Sequence, residues 1–390
     1  MKIALISHLY PTKLHPYQGK FIQDQFELLN STSGFDVDLI APTPHSMPFT
    51  NRWKAGHSDL ITSHSNGFRI NYVSFPRKRF PKVIRHSISK NLVPFLKNQK
   101  YELVHIHWAY PDALAIPALK KAGLKTVLTI HGSDWYQTKD IPSLSSLIKA
   151  SLFDADRILY SGPKLKKDIE NVFPELKKKS DIIYNMVDTD SYHPISIDKK
   201  ARLKEQLKWN PSKVHALTVA NIRHEKGIDL LVETITKNKE LADIQFHLIG
   251  NEEGSDFSAH VIRIIKDNPF QNIELMPAVP PKELINYYQA SDFYILPSRR
   301  EGFNVSILEA VACGLPLVCT DVGGNKEVID KGTGIMAADL ENHNATDLLK
   351  MSENFSGYDS NILNDIIREN YGKSTFINRL VSNYESALSN

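Results

Sequence analysis

SRREGFNVSILEAVACGLPLVCTDVGGNKE, residues 298–327, begins at the end of an apolar run, 292–298, that has the length of a buried strand. Residues 299–304 read as the loop at its carboxyl end, and 305–313 carries apolar residues at helical spacing. Asn304 suits an N-cap, and Gly314 suits the left-handed position that closes a helix shortly before Pro316. The apolar run 316–320 is again of strand length.

The same alternation extends outward in both directions. Strand candidates are 2–7, 35–41, 103–107, 126–131 and 157–160, then 215–220, 245–249, 273–276, 293–297 and 316–320. Helical spacing appears between them at 21–30, 114–121, 228–236, 281–290 and 305–313. Strands alternating with helices predict parallel sheets covered on both faces. At 390 residues the chain exceeds one ordinary core and predicts two domains of roughly 150–200 residues each. The alternation fades in the polar stretch 185–213, which contains Pro194 and Pro211, and then restarts. The division expected is 1–195 and 196–373, with a last helix at about 374–390 packing back on the first domain. Two doubly wound domains facing across a cleft would bind ligands outside the carboxyl ends of their strands.

Composition narrows the function classes. With 42% hydrophobic and 23% charged residues, the chain reads as globular, and nothing approaches the ~18 consecutive apolar residues of a membrane-spanning helix. The first residues, 1–7, lack the pattern of a secretory signal, so a cytoplasmic location is expected. Cys313 and Cys319 have no histidine near them in sequence and are expected to be buried, reduced thiols. Neither domain shows G-x-G-x-x-G after its first strand, which disfavours a dinucleotide cofactor. No cofactor is expected, and without an aspartate-rich motif no metal is expected either.

The net charge of +3 is too mild to imply nucleic acid, but its distribution is uneven. No Asp or Glu occurs from residue 60 to 101, while Arg69, Arg77, Lys78, Arg79, Lys82, Arg85, Lys90, Lys97 and Lys100 do. With Trp53, Phe75, Phe80 and Phe95 nearby, the stretch 69–100 reads either as a solvated face or as a contact with anionic lipid.

Glu301 and Glu309 carry the chemistry of the opening stretch. The amides of Val305 and Ser306 would be unpaired donors at a helix N-terminus, which suits a phosphate. Glu309 lies about one turn further along, roughly 6 Å, where a carboxylate can accept from two ribose hydroxyls. Glu301 precedes the helix, where a sugar would sit. The alternative is a solvated loop charge and an exposed helix residue. Arg223 and Lys226, in the loop after the first strand of the second domain, offer a forked guanidinium and an ammonium to a diphosphate.

In this ordered set the chain resembles the retaining glycosyltransferases of family 4, also called glycosyl transferases group 1, with the GT-B fold of two facing Rossmann-like domains. The resemblance covers nearly the whole chain. It is carried by E-x7-E at Glu301 and Glu309, by the run from Gly314 to Thr320, and by Gly323-Gly324. Lys226-Gly227, Asn185-Met186-Val187-Asp188 and Gln289-Ala290-Ser291-Asp292 are similar to further family motifs, and His131-Gly132-Ser133-Asp134 is similar to T-x-H-G-x-D.

The resemblance implies that Arg223 and Lys226 hold the donor diphosphate and that Glu301 binds donor-sugar hydroxyls. Backbone at Phe303, Asn304 and Val305 would meet sugar and phosphate, Glu309 the ribose, and backbone near Val279 the base. Gly19 would let backbone approach the phosphates, and His131 would reach the transferred sugar. Two positions depart from the family: Asn221 stands where an arginine is usual, and Asn304 where a glycine often follows E-G-F. Trp108, Tyr110 and Trp135 follow strand ends and suit either acceptor stacking or packing.

The reaction implied is metal-independent, retaining transfer from a UDP- or GDP-sugar to a hydroxyl of a glycan or lipid-linked acceptor. The first-half pattern further resembles bacterial cell-surface polysaccharide transferases. A GT-B epimerase or phosphorylase, or a non-catalytic nucleotide-sugar-binding subunit, are the rivals.

Overall fold

The structure is a computed structural model that describes residues 1–15, 18–45, 60, 67–252, 254–338 and 340–389. Trp53 lies outside them. The chain divides into two units, Met1–Tyr184 with Phe376–Asn390, and Asn185–Thr375.

The first unit holds a seven-stranded sheet. Its strands are β1 (Lys2–Ile6), β2 (Asp36–His45), β3 (Gly67–Val73), β4 (Leu103–His107), β5 (Lys125–Ile130), β6 (Arg157–Tyr160) and β7 (Ser180–Ile182), in the order β3-β2-β1-β4-β5-β6-β7. The second unit holds β8 (Val214–Val219), β9 (Ile244–Ile249), β10 (Ile273–Met276), β11 (Phe293–Leu296), β12 (Leu317–Cys319) and β13 (Gly334–Met336), in the order β10-β9-β8-β11-β12-β13. Every neighbouring pair is parallel. The central strands read as continuous apolar runs because both faces are covered: β11 is FYIL, buried throughout. Helices Ile228–Lys237 and Val305–Ala312 contribute Leu231, Ile235, Ile307 and Leu308 to that cover, all buried.

In each unit the strand order reverses once, between β1 and β4 and between β8 and β11. Loops leaving such a pair diverge to opposite faces of the sheet and open a crevice at its carboxyl edge. The expected site residues Lys226 and Glu301 lie on the two loops of the second reversal, after β8 and β11.

The junction falls earlier than the expected 195. Residues 185–195 belong with the second unit because Val187 bridges to Gly372, Asn185 donates to the Phe303 carbonyl at 3.2 Å, and Asp188 pairs with Lys373. The helix Lys373–Ser389 runs onto the first unit. There the Tyr384 hydroxyl meets His105 Nδ1 at 2.7 Å, and Asn383 Oδ1 accepts from Arg157 at 2.6 Å. Cys313 and Cys319 are both free and buried.

Buried histidines give both units an acid sensitivity. In the first, burial lowers His105 and His131 to about 3. In the second, burial lowers His215 to about 4, and its ring stacks on Trp209 at 4.8 Å. These rings fold neutral but take up protons near pH 6.5 once unfolded, so the unfolded chain binds more protons as pH falls. Stability is therefore fully present above about pH 6.5 and lost progressively as pH falls toward the folded-state values near 3–4. Melting temperature recorded against pH should decline from about pH 6.5 downward; a flat profile to pH 4 would contradict the burial of these rings.

Candidate active site

In the second unit, the loops after β8 and β11 are bound to each other. Arg299 donates its backbone amide to the Glu225 carbonyl at 2.8 Å, and its guanidinium forks onto Asp229 with both contacts at 2.7 Å. Gly227, at φ 63°, closes the β8 loop. A Cβ there would lie 2.0 Å from the Pro297 carbonyl oxygen, so only glycine lets the two loops approach this closely.

That approach brings Lys226 onto Glu301. The ammonium reaches Glu301 Oε1 at 2.7 Å, and the same oxygen accepts from Ser298 Oγ at 2.6 Å and Asn304 Nδ2 at 3.1 Å. Three donors thus converge on Oε1, and among the described residues none reaches Oε2. The carboxylate is fixed in orientation with one oxygen available as an acceptor.

Asn304 has a defined task. Its Oδ1 accepts from the Ser306 amide at 2.9 Å, capping the helix Val305–Ala312, while its Nδ2 steadies Glu301. This corrects the expectation that the amides of both Val305 and Ser306 stand unpaired: the cap takes Ser306, and Val305 remains at the helix start. The pair Gly323-Gly324 packs directly beneath this loop, the Gly324 amide donating to the Gly302 carbonyl at 3.0 Å.

Glu309 is half-buried rather than a solvated helix residue. The hydroxyl of Tyr288, itself fully buried, donates to Glu309 Oε2 at 2.9 Å. Asn221 turns away from any arginine-like part, since its Oδ1 accepts from the Asn251 amide at 3.0 Å and ties the β8 loop to the β9 loop. Arg223 is exposed on the β8 loop, and Val279 is half-buried in the loop between β10 and the helix Pro281–Ala290. Lys226, Glu301 and Asn304 are therefore in direct contact, whereas Arg223, Val279 and Glu309 occupy neighbouring loops and the capped helix.

Gly19 and His131 belong to the first unit. Gly19 precedes the helix Lys20–Ser31. His131 follows β5, its Nε2 joined to His107 Nδ1 at 2.9 Å and its ring 4.4 Å from that of Trp108. Burial, assisted by the nearby His8, holds its pKa near 3, so it presents a neutral imidazole at physiological pH. Asp134 braces this corner by accepting from the amides of Ala109 at 2.6 Å and His131 at 3.2 Å. Burial lifts its pKa to about 6 against the opposing pull of those amides.

Beside His131 a pocket of about 520 Å3 is lined by His8, Tyr72, Phe75, Lys78, Trp108 and Tyr110 among others. Trp135 is absent from that lining. It is 5% exposed and packs with Phe173, so of the three aromatics only Trp108 and Tyr110 face the pocket. A second, basic groove of about 250 Å3 involves Lys82, Arg85, His86 and Lys121.

Sequence reasoning missed Tyr288, Ser298, Arg299, His107 and Lys78. Tyr288 is an ordinary core-like position whose partner lies 21 residues on, and Ser298 reads as a strand end although its hydroxyl meets Glu301 three residues later. Lys78 was visible only as one cation among nine in the acid-free stretch.

Comparisons with known proteins bear on the family and the fold. Residues 199–353 match the family described as Glycosyl transferases group 1, and residues 27–191 match Glycosyltransferase Family 4. The chain is 29% identical over 260 residues to an uncharacterized glycosyltransferase of Methanocaldococcus jannaschii, covering 66% of each chain. It is 27% identical over 354 residues to a putative teichuronic acid biosynthesis glycosyltransferase of Bacillus subtilis, covering 85% of this chain and 84% of that one. Among solved structures, the Anabaena HepE protein in complex with UDP superposes with a TM-score of 0.73 at 14% identity, over 99% of this chain and 100% of that one.

Proposed function

Because the chain belongs to the group 1 glycosyltransferases of family 4 and has the GT-B fold, we propose that it moves a sugar, with retention of configuration, from a UDP- or GDP-sugar to a hydroxyl. The acceptor is a glycan or lipid-linked glycan of bacterial cell-surface polysaccharide or glycolipid assembly. The second unit binds the donor, and the first contributes the acceptor pocket. The observation that carries this reading is the Lys226–Glu301 pair at the strand-order reversal, with Glu301 Oε2 left as an acceptor and the helix bearing Glu309 starting beside it.

The chemistry follows from the residues. A departing nucleoside diphosphate accumulates negative charge, and Arg223, Lys226 and the Val305 amide supply fixed positive charge and dipole to it without a metal. Lys226 is already held by Glu301, so little reorganisation is needed when the donor enters. Glu301 Oε2 accepts from donor-sugar hydroxyls. Glu309, oriented by Tyr288, accepts from the ribose, and backbone near Val279 meets the base. Backbone at Phe303 and Asn304 contacts the sugar, Gly19 admits the phosphates, and neutral His131 offers a hydrogen bond to the transferred sugar.

The protein works in the cytoplasm at the inner membrane face, in this reading, through the stretch 69–100. Phe80 is 61% and Val83 46% exposed beside the exposed Arg79 and Lys82, a pairing suited to anionic lipid. Among the described residues no helix is long and apolar enough to cross a membrane.

Glu309→Ala tests the donor assignment. Calorimetric titration should show about tenfold weaker binding of both the sugar nucleotide and its bare nucleoside diphosphate, the loss of one or two hydrogen bonds to a charged group. Unchanged binding of both would remove Glu309 from the site.

A further inference from the structure

The pocket of the first unit holds a cation that forms no ion pair among the described residues. Lys78 ends the short turn Pro76–Lys78 at φ 57°, a left-handed conformation that a lysine seldom adopts. Its ammonium reaches only neutral groups: the Gln137 carbonyl oxygen at 3.3 Å, Gln137 Oε1 at 3.4 Å and, at 5.7 Å, the face of the Tyr110 ring. Among the described residues no carboxylate comes within the 4.0 Å of an ion pair.

Of the nearby acidic groups, Asp134 lines the pocket with both carboxylate oxygens held by backbone amides, and Asp112 packs against His8 with its Oδ1 left without a partner among the described residues. Asp112 Oδ2 takes the His8 amide at 2.9 Å and contacts His8 Nδ1 at 2.9 Å. Partial burial lowers the Lys78 pKa, with Asp134 pulling it back up. The site therefore combines a partly desolvated ammonium, a strained turn that aims it, and apolar surface from Tyr110 and the small exposed part of Trp108. A neutral sugar would use the apolar surface and leave the charge uncompensated. A sugar bearing an oxyanion would use both, with a charge-assisted hydrogen bond to the ammonium.

We propose that this pocket selects an anionic acceptor, a sugar whose carboxylate or phosphate pairs with Lys78 while its ring packs on Trp108 and Tyr110. The proposal deepens the transferase reading by naming the acceptor's chemical class, and it rests on that reading for the pocket's role.

The experiment is calorimetric binding by the full chain, without donor, of three probes: nitrophenyl glucuronide, nitrophenyl glucoside phosphorylated on its primary hydroxyl, and unmodified nitrophenyl glucoside. Wild type should bind one of the anions about tenfold or more tightly than the neutral probe. The anion that wins distinguishes uronate from phosphate. Lys78→Met should erase the preference without weakening the neutral probe, and Lys78→Arg should restore part of it. Equal binding of all three, no binding of either anion, or a preference that survives Lys78→Met would each overturn the proposal. Binding of UDP and GDP by the same variants reports whether they are folded and whether the donor site stands. Failure of the anion preference with nucleotide binding intact would sink this inference alone, whereas failure of nucleotide binding by wild type would sink the transferase reading.

Discussion

Glu301→Gln is expected to lower turnover by about 10²–10³-fold while leaving the affinity for the bare nucleoside diphosphate within a few-fold. The substitution keeps the shape and removes the charge. Lys226 then loses the carboxylate that holds it at 2.7 Å, and with the amide oxygen kept toward Lys226, Ser298 and Asn304, the new nitrogen takes the place of Oε2 and turns an acceptor into a donor. In the proposed reading both effects fall where the sugar leaves the diphosphate, and the Glu309–Tyr288 contact, proposed to set the nucleotide end, is untouched. Steady-state kinetics with a saturating donor, beside calorimetry with the bare diphosphate, separates the two. A variant with normal turnover would show that Glu301 only braces the loop.

Asp292→Ala is expected to destabilise the second unit by about 3–5 kcal/mol. Asp292 is 6% exposed and accepts from Lys200 at 2.8 Å, Lys204 at 2.9 Å and the His215 amide at 2.9 Å. Burial alone would raise its pKa, but the two lysines hold it below the ordinary carboxylate value. Removing the carboxylate strands two ammoniums in a poorly solvated place and orphans an amide at the start of β8. Urea unfolding at neutral pH should show a lower midpoint at unchanged slope, with Asp292→Asn between wild type and Asp292→Ala. A loss below about 1 kcal/mol would mean that water already screens the pair.

The interior of each sheet was legible because both faces are buried, and a run such as LVHIH or FYIL then betrays itself. The edge strands β3, β7 and β13 were not, since GFRINYV is half-exposed and SDI and GIM are too short to show a period. The site followed the same logic. Its loops could be placed from the strand–helix alternation, and the Asn304 cap is a local signal with a local partner. Ser298 and Asn304 meet Glu301 locally, but the other contacts that orient the glutamates are not local. Lys226 meets Glu301 across 75 residues, and Tyr288 meets Glu309 across 21. Periodicity says nothing about either, nor about His107 behind His131 or Asn221 tying two loops together.

A proton NMR time course of the donor sugar's anomeric signal, with and without a cell-envelope acceptor fraction, tests the proposed transfer of a sugar from a nucleotide diphosphate donor. Donor loss should require acceptor, release one nucleoside diphosphate per glycosidic bond formed, and give a new anomeric signal of the same configuration as the donor. Epimerised sugar nucleotide, phosphate-dependent turnover without acceptor, or a product of inverted configuration would contradict it.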